Sequence, residues 1–308
     1  MKRLGIICGG SGSSKFVSSF AQYSITDNTY DIGFITNVAD NYWYRGLYVS
    51  PDVDIVMHAL SGQIDSSKGW GIKSDTFEGS KVFSALSTQN EWFSLGSIDS
   101  AYCQRRTELM KRGWSLSSIT KMFCRKLSIR WPVIPATDDE VTTFVKTKAG
   151  LMHLQQYWVK HKAVPEPLEV IYHGQINAIA NPDTLEYLNE QVIICPANPI
   201  TSISPTTGLR QVKRKLKNSR AIAISPFVGD KVFSGPASQF MIAMGIQPNS
   251  LGVAKMYSSF LKLLVLDSQE SKEMEGAISD LGIECYRTNT RIDNSNTQSF
   301  ASEIMNIT

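Results

Sequence analysis

Short apolar runs separated by polar, glycine-rich or proline-rich stretches recur along the chain. Residues 4–8, 32–36, 192–195, 221–224 and 263–266 are nearly continuous in apolar or β-branched character. Runs of this length bounded by turn residues predict strands of a parallel sheet, buried on both faces. Residues 16–23 read as a helix after the first run. From about residue 75 to 127 the period becomes helical, and Ser117 is expected to cap a helix in which Ile119, Met122, Phe123 and Leu127 share one face. Residues 141–147 and 151–157 alternate and are joined by Lys148-Ala149-Gly150, the pattern of a β-hairpin. The tail from about residue 289 is polar and then weakly helical. Strands alternating with helices predict an α/β fold. Residues 1–75 and 130–308 form its nucleotide- and ligand-binding core, with 76–129 as a helical insertion.

The chain has 308 residues, 42% hydrophobic and 19% charged. That is the composition of a globular protein with a real core, in one large domain or two. The net charge of +3, without a long basic run, gives no electrostatic case for nucleic acid. The five cysteines are scattered, and none forms a CxxC pair. Such usage fits a reducing compartment. The apolar run after Met1-Lys2-Arg3 is too short for a signal peptide, and no run is long enough to span a bilayer. The expected location is the cytoplasm.

Candidate chemistry clusters where strands end. After the first run comes Gly9-Gly10-Ser11-Gly12-Ser13-Ser14-Lys15, and then a helix. Strand, glycine turn and helix aim backbone N–H groups at a phosphate, and Lys15 supplies a point charge beside it. The turn is neither a dinucleotide fingerprint, since Lys15 stands where the third glycine belongs, nor a Walker loop, since Ser14 precedes the lysine. After the second run, Asn37-Val38-Ala39-Asp40-Asn41 and Ser50-Pro51-Asp52-Val53-Asp54 set three carboxylates in a short loop region. Clustered carboxylates at the carboxyl ends of strands suit a hard cation such as Mg²⁺, although aspartates are also ordinary turn residues. Two later strands run into rigid loops, Pro196-Ala197-Asn198-Pro199-Ile200-Thr201-Ser202 and Ser225-Pro226-Phe227-Val228-Gly229. Asn198 and Ser202 are candidates for hydrogen bonds to a nucleotide or phosphate. Arg105 and Arg106 read as a solvated helix face or as phosphate clamps.

These motifs occur in order across nearly the whole chain, joined by Gly69-Trp70-Gly71, Asp75-Thr76, Trp92-Phe93-Ser94-Leu95-Gly96, Asp99, Pro135-Ala136-Thr137-Asp138-Asp139, His153-Leu154-Gln155, Gly235-Pro236-Ala237 and Gly252-Val253-Ala254. In this the sequence resembles the 2-phospho-L-lactate transferases (CofD family) of deazaflavin coenzyme biosynthesis. The resemblance implies a Rossmann-like three-layer αβα core with a mixed sheet, commonly as a homodimer. It also implies transfer of a phospholactyl or phosphoenolpyruvyl group from a guanosine-diphospho donor to the ribityl hydroxyl of the deazaflavin Fo. GMP leaves, the product is the precursor of coenzyme F-420, and Mg²⁺ is required. On that reading Asp40, Asp52 and Asp54 are the catalytic and metal-binding carboxylates, with Asn41 as a further ligand. Gly9, Gly10, Gly12, Lys15, Asn37, Trp43, Arg106, Asn198 and Ser202 contact substrate.

The chain departs from the family pattern at polar positions. Asn41 replaces the second member of an acidic pair, Ser97 an aspartate, Cys103 a histidine, Gln156 a carboxylate and Ala197 a serine. These changes raise the alternative of a relative that binds nucleotide or deazaflavin as a sensor, without transferring a group. A nicotinamide dehydrogenase fits less well, because Thr36-Asn37 stands where a ribose-binding acid is expected at the end of the second strand.

Overall fold

A computed structural model describes residues 2–26, 29–88, 91–229, 231–232, 236–292 and 296–308; the Gly235 of one motif lies outside them. Seven strands form the central sheet: β1 (Lys2–Cys8), β2 (Tyr30–Thr36), β3 (Val133–Pro135), β4 (Gln191–Ile194), β5 (Arg220–Ile224), β6 (Leu261–Asp267) and β7 (Glu284–Thr288). Their order is β7-β6-β5-β4-β1-β2-β3. Every pairing is parallel. The expected mixture of directions is therefore found between sheets and not within the central one. Among the described residues antiparallel pairing occurs in small sheets, chiefly Gly150–His153, Thr142–Thr147 and Glu169–His173, and in isolated bridges. The second arm of the expected hairpin stops at His153, and the chain turns into a π-helical turn over Gln156–Lys160.

The apolar runs form strands because both of their faces are covered. Leu4, Ile6, Cys8, Ile32 and Phe34 pack on one side with Phe16, Val17, Phe20, Val53 and Met57. Ile7 and Ile35 pack on the other with Val212, Leu216, Val253 and Tyr257. The first layer contains α1 (Ser14–Thr26) and α2 (Pro51–Leu60). The terminal helix Thr297–Asn306 lies against α1, with Phe300 edge-on to Phe16 at 5.4 Å between ring centroids. Gly5 and Gly33 are partners in register on β1 and β2. A Cβ on either would lie 2.7 Å from Tyr187 atoms, so the paired glycines open the groove that this residue fills.

Three helices occupy the stretch between α2 and β3: α3 (Glu78–Leu86), α4 (Ser97–Lys111) and α5 (Leu116–Lys126). Ile119, Phe123 and Cys124 of α5 join the core beside β1 and β2, whereas α3 buries no residue. Ser115, not Ser117, caps α5, accepting from the Ser118 N–H; Ser117 instead donates its hydroxyl to Asp138. Among the described residues no helix is long and apolar enough to cross a membrane.

Strand order reverses at β1. The chain runs outward through β2 and β3, returns to place β4 on the other side of β1, and continues to β7. In open parallel sheets the crevice outside the carboxyl ends of the strands at such a point is where ligands bind.

Candidate active site

A cavity of about 840 Å³ opens at this reversal. Its polar wall comes from the loops after β1, β2 and β4 and from one face of α2. Gly10, Ser11 and Gly12 line it after β1, Asp40 after β2, Asn198, Thr201 and Ser202 after β4, and Asp52, Asp54, Ile55 and His58 from α2. An aromatic wall faces them, built from Trp70, Phe77, Trp92, Phe93, Trp158 and Phe240.

Asn37 organises the acidic side. Its Oδ1 accepts from the Ala39 N–H at 3.0 Å, a side-chain turn that fixes the carboxamide. The amide nitrogen then donates to Asp40 Oδ1 at 3.2 Å, to Asp52 Oδ2 at 2.9 Å and to the Thr201 carbonyl at 3.3 Å. Two carboxylates that are 15 or fewer positions from Asn37 in sequence thus meet at one nitrogen. Asn37 is accordingly the scaffold of the acidic pair and does not line the cavity. Gly9 is shaped to the same cluster: a Cβ there would lie 2.8 Å from Asp52 Oδ2 and 3.1 Å from both Asn37 Cβ and the Ser202 carbonyl. Gly10 turns through φ 65°, and a Cβ there would lie 2.8 Å from Ser202 Oγ. Glycine at both positions brings the turn after β1 against the loop after β4.

Asp40 and Asp52 are both buried. Burial pushes the Asp40 carboxyl well above the usual range, the charge of Asp52 adds to this, and the Asn37 amide offsets part. Burial raises Asp52 to about 6, held down by the amides of Asn37 and Gly10. Neither has a salt-bridge partner among the described residues. A pair of buried carboxylates facing a cavity without a cationic neighbour fits a hard divalent cation held jointly with ligand oxygens and water. The donor set on the protein is these two oxygen-bearing residues. Among the described residues no cluster of three or more His, Cys, Asp or Glu side chains forms a ready-made metal cage.

Five sequence expectations are corrected here. Asp54 does not join the pair as a free ligand; it is in a buried ion pair with Arg106. Arg106 is correspondingly no substrate clamp, since it is 1% exposed and holds Asp54 and the Tyr48 carbonyl. The Asn41 carboxamide points elsewhere, accepting from Ser50 Oγ at 2.8 Å and donating to Tyr48 Oη at 3.2 Å. Lys15 is exposed, and its ammonium donates to the Ile292 carbonyl at 3.3 Å, away from the cavity lining. Trp43, 55% exposed, packs edge-on against Tyr48 and also lies outside the lining. Gly10, Gly12, Asp40, Asp52, Asn198 and Ser202 do come together as expected. Asn198 also caps the π-helical turn Pro199–Ile203, accepting from the Ile200 and Thr201 N–H groups.

In the sequence Asp75 and Asp99 stand out only as motif positions, and His58, Lys68 and Trp158 do not stand out at all. Asp75 caps α4 from outside the helix, accepting from the Ile98 N–H at 2.9 Å and the Asp99 N–H at 3.1 Å. It thereby fixes Asp99 at the cavity wall. The missed signal for His58 was helical spacing: once α2 begins at Pro51, Asp52, Ile55 and His58 recur every three residues on one face.

A sequence model of the family described as 2-phospho-L-lactate transferase CofD matches residues 5–304. The chain belongs to this family. Relatives named 2-phospho-L-lactate transferase include one from Methanococcoides burtonii, 35% identical over 287 residues and covering 92% of each chain. Another, from Methanosarcina mazei, is 32% identical over 302 residues, covering 97% of this chain and 98% of the relative. A crystal structure of a UPF0052 family member from Bacillus halodurans superposes with a TM-score of 0.66 at 14% identity. It covers 99% of this CofD-family chain and 100% of its own, a likeness of fold alone.

Proposed function

We propose that this CofD-family chain is a 2-phospho-L-lactate transferase of coenzyme F-420 biosynthesis. It moves a phospholactyl, or related phosphoenolpyruvyl, group from a guanosine-diphospho donor to the ribityl hydroxyl of the deazaflavin Fo, releasing GMP. It works in the cytoplasm as a homodimer and depends on Mg²⁺. The observation that carries this reading is the meeting of the glycine turn after β1 with the Asp40–Asp52 pair at one cavity.

Phosphoryl-group transfer asks the protein mainly to align the reactants and neutralise charge. With the Gly10 amide given to Asp52, the Ser11 and Gly12 amides of the same turn are left to meet diphosphate oxygens at the start of α1, and Asn198 and Ser202 offer hydrogen bonds from the opposite loop. Asp40 and Asp52 would hold the Mg²⁺, which when bound neutralises the diphosphate and polarises its phosphorus–oxygen bonds. Trp70, Trp92 and Trp158 offer flat apolar faces for the deazaflavin or guanine ring.

The test is incubation of the purified protein with Fo and freshly made donor, following GMP and the phospholactyl product with and without Mg²⁺. The expected result is GMP release that needs both Fo and Mg²⁺. Binding of GDP and Fo by calorimetry with no product formed would replace this reading with that of a sensor.

A further inference from the structure

Beyond the acidic pair, the cavity holds a second polar group that no step above uses. His58 is 1% exposed, and neither ring nitrogen has a hydrogen-bond partner among the described residues. Its Nε2 lies 3.9 Å from Asp99 Oδ1, and both residues line the cavity. Asp99 is the outer member, with its side chain 27% exposed, while His58 stands behind it with its ring edge-on to Tyr102 at 5.1 Å. An imidazole sealed from solvent with no other partner is costly to bury unless a polar group completes its bonding. The titratable groups at this corner are Asp54 on α2 and Asp99, Tyr102, Cys103 and Arg106 on α4, and Arg106 is taken by Asp54.

The placement fits one task. His58 lies six residues beyond Asp52 on α2, about 9 Å along the axis, and both side chains line the cavity. Asp52, His58 and Asp99 thus share one cavity of about 840 Å³, in which a phosphoryl group and an attacking hydroxyl can be held together. The attacking oxygen must lose a proton as it bonds to phosphorus, and a carboxylate at the cavity surface is a suitable acceptor. We propose that Asp99 accepts the proton of the acceptor hydroxyl, and that His58 is the positioning residue that holds and polarises its carboxylate. This rests on the transferase reading above. In the step, the hydroxyl oxygen forms a bond to the phosphorus carrying the lactyl group. The bond from that phosphorus to the GMP oxygen breaks with its electron pair going to GMP, and the hydroxyl proton passes to an Asp99 oxygen and then to solvent.

The experiment compares wild type, Asp99→Asn and His58→Gln in steady-state transfer, with calorimetry of GDP and Fo binding and thermal melts as controls for folding. Asp99→Asn is expected to lower kcat about 10²–10⁴-fold, with dissociation constants for GDP and Fo within threefold of wild type. His58→Gln is expected to lower kcat about tenfold with KM unchanged, as befits a residue acting through another. Wild-type kcat in Asp99→Asn, or a His58→Gln effect confined to KM, overturns the proposal. A second readout does not need turnover. His58 imidazole carbon-bound proton signals, assigned by their loss in His58→Gln, are expected to shift when Fo alone is added. If wild type forms no product, the transferase reading fails; if the His58 signals stay still on saturation with Fo, the Asp99–His58 assignment fails on its own.

Discussion

Replacing Asn37 by aspartate exchanges one NH₂ group for an oxygen at the nitrogen where Asp40 and Asp52 meet. The change is nearly isosteric, so it tests electrostatics without opening a cavity. Two side-chain hydrogen bonds to carboxylates disappear, at 3.2 and 2.9 Å in the native site. Bonds to charged groups contribute about 1.5–3 kcal/mol each. Their loss therefore amounts to about 3–6 kcal/mol if the two add, a large share of the roughly 5–15 kcal/mol by which domains are stable. A third buried carboxyl also enters the cluster. The variant relieves the repulsion by keeping protons that the unfolded chain releases, so its folded state binds more protons than its unfolded state. Stability then falls as pH rises. The assay is urea denaturation of both proteins at pH 5 and pH 8 in cation-free buffer. The expected result is a deficit at both pH values that grows from pH 5 to pH 8, partly recovered by Mg²⁺ because a ligand bound only to the folded state stabilises it. A variant within about 1 kcal/mol of wild type at both pH values would refute the account of Asn37 as the scaffold of the acidic pair.

The wild-type site makes a related prediction. Asp52 is raised from 3.8 to about 6 by burial, so its folded form holds a proton that the unfolded chain gives up. The associated stability, about 3 kcal/mol for a shift of that size, is present below pH 4 and lost as pH rises past 6. Melts in cation-free buffer should show this slope, and Asp52→Asn should flatten it; an unchanged slope in the variant would remove Asp52 as its source. Gly9→Ala forces a methyl into the space beside Asp52, Asn37 and Ser202. The expected cost is about 1–3 kcal/mol with at least a tenfold loss of turnover, and native turnover would show that the turn is free to move. Arg106→Ala leaves Asp54 buried without its partner, at a cost of about 3–5 kcal/mol. The double variant Asp54→Leu with Arg106→Leu should be more stable than Arg106→Ala in urea melts, and the reverse order would show that Arg106 acts by packing and not by charge.

How legible this site was in the sequence depends on the range of the interaction involved. The central strands could be read because burial on both faces leaves a local trace, an unbroken apolar run such as Ile32 to Thr36. The glycine turn and Asp40 could be placed because they follow those strands directly. Along the sequence Asp52 and Asp54 read as loop residues, although Ser50-Pro51-Asp52 is a helix start, with proline at the first turn and acids beside it. That error hid their different fates: two residues apart on a helix, they point in different directions, Asp52 to Asn37 and Asp54 to Arg106. Arg106 is 52 residues away from Asp54, and no local pattern announces a partner at that distance. Lys15 failed for the same reason in reverse. The buried face of α1 carries Phe16, Val17 and Phe20, which leaves Lys15 on the outside, beside a carbonyl from the far end of the chain. Asn41 is the most instructive case. Read along the sequence, it is a carboxylate lost from a metal site; in the fold its carboxamide bonds to Ser50 and Tyr48, next to the His153 contact with its carbonyl. An amide can accept from one and donate to the other, which an ionised carboxylate cannot do. The substitution is therefore consistent with a retained Asp40–Asp52 pair, and it weakens the case that departures at polar positions have emptied the site of its chemistry.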